Sequence, residues 1–511
     1  MHDVKNHGKG LNDQTIARLE NVTLRVRDAL ILPNTCWQID KGQQWAIIGP
    51  NGAGKTSLVR ALTGDVPVVG GTIRAFDDPA GPLKAEYVSF EQHQRLIARE
   101  DQRDEFRYFS GDLNPGTTVR EILFGKDGQP AGMAAEIADA VAGLKIQSLL
   151  DRGIRALSTG EMRKMQLARI LLKQPDVMIL DEPFDGLDEI SRRDLAQIID
   201  NLMDDTRTVI LVTHRQREIL PKITHVLAVR TGKVLFQGVR SEVLTPSNME
   251  RLYAFDASAS FSVPADEEPF QPAAGELSGS LVCMQNVTVK YGATTVLDNF
   301  SWSMHPGENW AILGPNGSGK TTLLNLITAD NPQAYANRIY LFGRRRGSGE
   351  SIWEIKQRIG MVSSEFQIRY RKPIAALEVV LSGFFDSVGL YRHASVRQRQ
   401  KAEKWLAVLG IAHLSQKTFN QLSHGEQRMV LLARSMVKMP LILILDEPYQ
   451  GLDRTNRQRI LAAVDVIGRR GGTHIIYVTH YPDELPACIS HIVQFIPTSD
   501  GRYRASQQRI E

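Results

Sequence analysis

The chain has 511 residues, long enough for two compact domains, and carries 61 Lys+Arg against 57 Asp+Glu; a formal net charge of +4 spread along its length does not point to nucleic acid. Cys36, Cys283 and Cys488 are widely spaced and odd in number, which excludes a disulfide framework and a CxxC metal site and fits a reducing cytosol. No apolar stretch approaches the ~20 residues that cross a bilayer, so any role at a membrane needs a partner on another chain.

In chain order, residues 1–14 are polar and read as a flexible tail. An apolar strand, Trp45 to Ile48, leads into GPNGAGKTS (Gly49, Asn51, Gly52, Gly54, Lys55, Thr56, Ser57) and then an apolar helix, Leu58 to Leu62. LSTGE places Ser158, Gly160 and Glu161 ahead of a helical stretch whose Met165, Ala168 and Leu172 read as core. The strand Val177 to Leu180 ends on Asp181 and Glu182, Asp188 follows in GLD, and the strand Val209 to Val212 precedes His214.

The same order then returns. GPNGSGKTT (Gly314, Asn316, Gly317, Gly319, Lys320, Thr321, Thr322) follows the strand Trp310 to Leu313 and precedes the helix Leu323 to Ile327. LSHGE supplies Ser423, Gly425 and Glu426; Leu441 to Leu445 ends on Asp446 and Glu447; Asp453 lies in the second GLD; Ile475 to Val478 precedes His480. Lys55 and Lys320 are 265 residues apart, and the other motifs keep that offset to within one residue. Separate motifs holding one offset mean a duplicated domain. The Pro-broken, acidic stretch Phe261 to Ser280 reads as linker. The expected layout is a tail over 1–14, a first domain over 15–245, a linker over 246–280 and a second domain over 281–511. Each domain reads as α/β, a parallel sheet flanked by helices.

Two copies of GxxxxGK[ST] between a strand and a helix form a phosphate cradle: glycines let successive N–H groups face phosphate oxygens, and the helix N-terminus adds its dipole. Lys55 and Lys320 are suited to the β/γ-phosphates, and Thr56 and Thr321 to Mg²⁺. Asp181 and Asp446 leave central strands at the carboxyl edge of a sheet, where α/β ligands bind, and are suited to the same Mg²⁺. Glu182 and Glu447, one residue on, are placed to poise water as general bases. MgATP is therefore the expected ligand of both halves.

With P-loop, LSxGE, strand-DEP, GLD and a later His together, the chain resembles the ATP-binding-cassette family over nearly all of its length. The resemblance implies a parallel-sheet core and a helical subdomain in each half, with the LSxGE of one half closing on the ATP of the other, so one chain supplies both half-sites and a monomer suffices. It implies that Ser158, Gly160, Ser423 and Gly425 meet the γ-phosphate, that Asp188 and Asp453 touch the opposite site, and that His214 and His480 face the γ-phosphate. The family aromatic that stacks on adenine falls on Tyr291 in the second half but on Val26 in the first. The family Gln after a YVxQ-like strand is displaced in both halves: Tyr87, Val88, Ser89 run on to Phe90 and Gln92, and Met361, Val362, Ser363 to Ser364 and Gln367.

Leu341 to Ser364 and Leu381 to Tyr391, with LSTGEMRK and DEPFDGLD, resemble the ModF type within that family, named for molybdate transport and also labelled photorepair. That resemblance implies the ATPase component of a transport system with an integral-membrane permease on a separate chain, at the inner face of the cell membrane. The alternatives are a non-transport cassette ATPase acting on the ribosome or nucleic acid, and an ATP-dependent regulatory switch. Arg344 to Arg346 read first as a solvated basic loop, with an anion or partner site as the alternative. Phe384, Phe385 and Tyr391 read first as core, with an exposed docking patch as the alternative.

Overall fold

The computed structural model describes residues 15–26, 29–75, 77–78, 81–82, 84–89, 117–125, 143–204, 207–253, 279–292, 294–363, 367, 370, 373–450, 452–482, 485–498 and 503–510. The expected tail, the stretch 261–278, Gln92 and Ser364 lie outside them. The chain divides into two compact units, Met1–Ala254 and Phe255–Glu511.

In the first unit a six-stranded sheet runs Lys233–Val239, His225–Arg230, Trp45–Ile48, Thr208–Thr213, Val177–Asp181, Ala85–Ser89. Its strands pair in parallel except for the hairpin between His225–Arg230 and Lys233–Val239. Both faces are covered, which is why the P-loop strand is apolar throughout. Trp45 and Ile47 join the core under a three-stranded antiparallel sheet, whereas Ala46 and Ile48 join the core under the helices. That antiparallel sheet consists of Ala29–Asp40, Thr15–Val26 and Val68–Ala75. The helices include Val119–Phe124, Thr159–Leu171 and Glu189–Leu202.

The second unit repeats the plan. Its six strands run Ile359–Val362, Ile442–Asp446, His474–Thr479, Trp310–Leu313, His491–Pro497, Tyr503–Arg509, with the last pair antiparallel. Trp310 and Ile312 face the core beneath a four-stranded antiparallel sheet, while Ala311 and Leu313 face the helical side. On that side Trp405, Phe419 and Leu431, at most 1% exposed, hold together the helices Ala376–Leu381, Val396–Val408 and His424–Met436. The α/β class with a helical part in each half is thus what the chain adopts, with the antiparallel sheets as additional layers.

Several local expectations change. Pro246–Leu252, placed at the start of the linker, is a helix with Thr245 as N-cap and Pro in its first turn, and it buries Met249 and Leu252 in the first unit. Arg346 is not a solvated loop residue: it is 3% exposed, 2.6 Å from Glu350 and stacked over Tyr335, whereas Arg344 and Arg345 are exposed. Phe384 is half-buried against the helical core, and Tyr391 is 76% exposed.

Candidate functional site

Each P-loop is held open by glycine. A Cβ on Gly49, at φ 149°, would fall 1.9 Å from the Val229 carbonyl oxygen, so the loop approaches its neighbouring strand closer than any side chain permits. Gly54 and Gly319, at φ 103° and 98°, turn the chain into the helices Lys55–Leu62 and Lys320–Ile327. Gly52 and Gly317 also have positive φ, and Asn51, Ser57, Asn316 and Thr322 lie along the same two loops.

The lysine of each loop folds back over it. Lys55 Nζ donates to the carbonyls of Gly49 at 2.9 Å and Pro50 at 3.0 Å; Lys320 Nζ donates to Gly314 at 2.7 Å and Pro315 at 2.8 Å. Both are buried, yet their partners are carbonyls that a phosphate can replace. In the second unit a cleft of about 370 Å³ is lined by Tyr291, Gly317, Lys320, Thr321, Asp446 and Glu447. Tyr291 is half-exposed at this cleft, and its hydroxyl accepts from Asn331 at 3.0 Å.

Thr56 Oγ1 and the Tyr87 hydroxyl each donate to Asp181 Oδ2 at 2.8 Å. The other oxygen, Oδ1, is buried without a hydrogen-bond partner among the described residues. An orphaned carboxylate oxygen beside a threonine hydroxyl is a hard-oxygen donor set that fits Mg²⁺ completed by substrate phosphates. Burial pushes the Asp181 carboxyl up to about 6, with the neighbouring Glu182 charge adding to it.

Glu182 and Glu447 sit at φ 50° and 46°, left-handed geometry that costs a non-glycine residue on the order of 1 kcal/mol. The twist is fixed by Glu182 N–H donating to Val212 O and Glu447 N–H to Val478 O. It turns each carboxylate onto a histidine: Glu182 Oε2 to His214 Nδ1 and Glu447 Oε1 to His480 Nδ1, both 2.8 Å. Lys55 Nζ lies 3.9 Å from Glu182 Oε1. Burial alone would raise the Glu182 carboxyl, but His214, Lys55 and Arg215 outweigh it and hold it below its ordinary value.

The structure therefore gathers Lys55, Thr56, Asp181, Glu182 and His214 in one place, and in the second half Lys320, Thr321, Asp446 and Glu447 around one cleft with His480 bonded to Glu447. Within their own units, Ser158 and Ser423 cap the helices Thr159–Leu171 and His424–Met436, each in a reciprocal box with Glu161 or Glu426. Gly160 and Gly425 pass under Ser191 and Asn456. Asp188 and Asp453 cap the next helices, accepting from Ser191 N–H at 2.8 Å and Asn456 N–H at 2.7 Å.

Three residues stand out to which the motifs gave no role in the site. Tyr87 bonds Asp181, and Met361 takes its place in the second half, each paired with the third residue of the strand that ends on the aspartate. Arg215 Nε donates to His214 Nε2 at 3.1 Å, and Tyr481 takes its place. Arg163, 3% exposed on the LSxGE helix and lowered to about 10 by burial, has a counterpart at the repeat offset in Arg428, 2% exposed; that shared offset was its available signal.

The ABC transporter family profile matches residues 32–185 and again 297–450. The chain belongs to the ABC transporter family. It is a tandem ATP-binding-cassette ATPase of the ModF type: it is 40% identical over 485 residues, 94% of this chain and 97% of the relative, to the ABC transporter ATP-binding protein ModF of Escherichia coli strain K12. An uncharacterized ABC transporter ATP-binding protein of Schizosaccharomyces pombe is 27% identical over 90% of this cassette protein and 93% of its own length. Among solved structures, an archaeal ribosome recycling factor bound to a ribosomal stalk protein matches with TM-score 0.54 at 19% identity, covering 95% of this chain and 89% of that one. The structure titled RNase-L Inhibitor matches with TM-score 0.55 at 21% identity, covering 95% and 90%. At those identities the likeness is one of fold. Among the described residues, no helix of the cassette protein is long and apolar enough to cross a membrane.

Proposed function

We propose that each P-loop binds MgATP, that Glu182 and Glu447 activate the attacking water, and that the LSxGE turn of each half completes the site of the other. The observation that carries this reading is the Glu–His contact at 2.8 Å in both halves, each formed by a glutamate turned into left-handed geometry beside its P-loop lysine or cleft. Lys55 and Lys320 exchange backbone carbonyls for phosphate oxygens. Thr56 with Asp181, and Thr321 with Asp446, hold Mg²⁺, which neutralises charge on the β- and γ-phosphates when bound. Tyr291 stacks on adenine in the second site, whereas Val26 in the first cannot.

A glutamate that accepts from histidine Nδ1 keeps its carboxylate ionised and aimed, as a general base requires. Ser158 and Ser423 present helix N-termini, with the dipole end toward a phosphate of the opposite half. Each charge-assisted contact contributes about 1.5–3 kcal/mol, and driving a mostly open state to a mostly closed one needs roughly 5.5 kcal/mol, so two to four γ-phosphate contacts suffice. Hydrolysis removes them and the halves reopen.

We further propose that the cycle energises transport through a membrane subunit on a separate chain. The support is the name and 40% identity of the ModF relative, and the molybdate link rests on that name alone. Action on a ribosome is the competing reading, and its support is a fold likeness at 19–21% identity. Fractionating a lysate that contains the tagged full-length chain, with ATP and with ADP, separates the two. Membrane pelleting that requires ATP and cross-links to an integral-membrane subunit supports transport; co-sedimentation with ribosomes overturns it.

A further inference from the structure

The two halves treat the outward nitrogen of their site histidine differently. His480 uses Nδ1 for Glu447, and its Nε2 is buried with no hydrogen-bond partner among the described residues, its side chain 6% exposed. His214 makes the same contact to Glu182, but its Nε2 accepts a hydrogen bond from Arg215 Nε at 3.1 Å. A guanidinium is a donor only, so this bond requires the lone pair on Nε2 and the proton on Nδ1.

Arg215 is itself anchored. Its side chain is 9% exposed and lies 3.8 Å from Glu218, whose side chain is 2% exposed and which bonds the Thr213 hydroxyl. Arg215 N–H also donates to Thr213 Oγ1 at 3.1 Å. Tyr481, at the corresponding position, brings no charge; its ring lies against His480 with centroids 3.8 Å apart, and its N–H makes the same bond to Thr479. A second donor specific to the first half, the Tyr87 hydroxyl, occupies Asp181 where the second half has Met361.

We infer that Arg215 is a positioning residue that withholds His214 Nε2 from the γ-phosphate, making the first-half P-loop site the slow one and leaving most turnover to the second. This rests on the reading above that the two histidines face that phosphate. For His214 to donate to a phosphate oxygen, Nε2 must give up the Arg215 bond and gain a proton beside a guanidinium. Burial and the Arg215 charge oppose that proton while Glu182 favours it, with the net effect a raised His214. His480 has the same carboxylate partner, and no donor among the described residues occupies its Nε2. ATP is therefore held at the first site through many catalytic cycles of the second.

The test uses the full-length chain. Glu447→Gln leaves only the first site to turn over, and Glu182→Gln only the second. The inference expects kcat on the order of tenfold lower for Glu447→Gln than for Glu182→Gln. Adding Arg215→Tyr to Glu447→Gln raises kcat by roughly fivefold or more with KM little changed, while adding Tyr481→Arg to Glu182→Gln lowers it by a similar factor. A merely structural role for Arg215 would not produce a gain in kcat. If removing Arg215 leaves Glu218 unpaired and the chain misfolds, Arg215→Tyr with Glu218→Gln carries the same expectation. Equal kcat in the two single variants, or no rise with Arg215 replaced, overturns the inference. Wild-type chain without ATP hydrolysis overturns the proposed function itself, a distinct outcome.

Discussion

Glu447 Oε1 stands 2.8 Å from His480 Nδ1, and the backbone reaches that contact by placing Glu447 at φ 46°. The first half repeats both features in Glu182 and His214, so the strained geometry belongs to the duplicated unit. On the proposed mechanism these glutamates poise the attacking water, and backbone strain retained in both copies is what a site held ready before substrate arrives requires.

The Asp181 carboxyl links pH to stability. Its folded-state value of about 6 lies above the usual 3.8, so the folded chain holds this proton more tightly than the unfolded chain does. The stability it contributes is full below about pH 4 and is lost as pH rises through about 6. Asp181→Asn keeps acceptors for Thr56 and Tyr87 without a buried charge. Urea unfolding in chelator should show it more stable than wild type by ~2–3 kcal/mol at pH 8 and equal at pH 4. Identical midpoints at pH 8 would remove buried charge as the cause.

The serines of LSxGE serve as caps in the free chain and, on the proposed mechanism, as phosphate ligands in the closed one. Ser158→Ala should cost ~1 kcal/mol through the lost cap. Ser158→Asp separates the roles, because aspartate caps as well as serine but repels a phosphate. We expect its melting temperature to stay within a few degrees of wild type and its ATPase rate to fall at least about tenfold. Full activity in Ser158→Asp would place the phosphate elsewhere.

Trp405 is completely buried at the centre of the second unit's helical core. Trp405→Ala should destabilise that unit by about 3–5 kcal/mol in chemical denaturation, and a loss under ~1 kcal/mol would mean the core repacks.

The P-loops, the strands that lead into them and the Asp-Glu strand ends were legible because burial on both faces makes central strands continuously apolar and glycine has a recognisable role beside them. The antiparallel sheets were not legible. Thr15–Val26 carries register shifts, with Asn21 at φ 49°, and Val282–Tyr291 carries the like with Asn286 at φ 52°; these bulges break the alternation that announces such strands. S-x-x-E is a capping-box pattern visible in the sequence, and the family motif drew attention away from it. Tyr87 was visible as the start of a YVxQ-like strand, but its bond to Asp181, like that of Arg215 to His214, gave no signal, because each depends on which neighbour the fold brings close and neither residue recurs in the second half. Helix Pro246–Leu252 was concealed by its proline, which suits a first helical turn as well as it suits a linker.

The decisive measurement is the steady-state ATP hydrolysis rate of the full-length chain carrying Glu182→Gln and Glu447→Gln together. The proposed mechanism predicts a rate at least about 100-fold below wild type, because both water-poising carboxylates are gone while the residues that grip nucleotide are intact. A rate equal to wild type would contradict it.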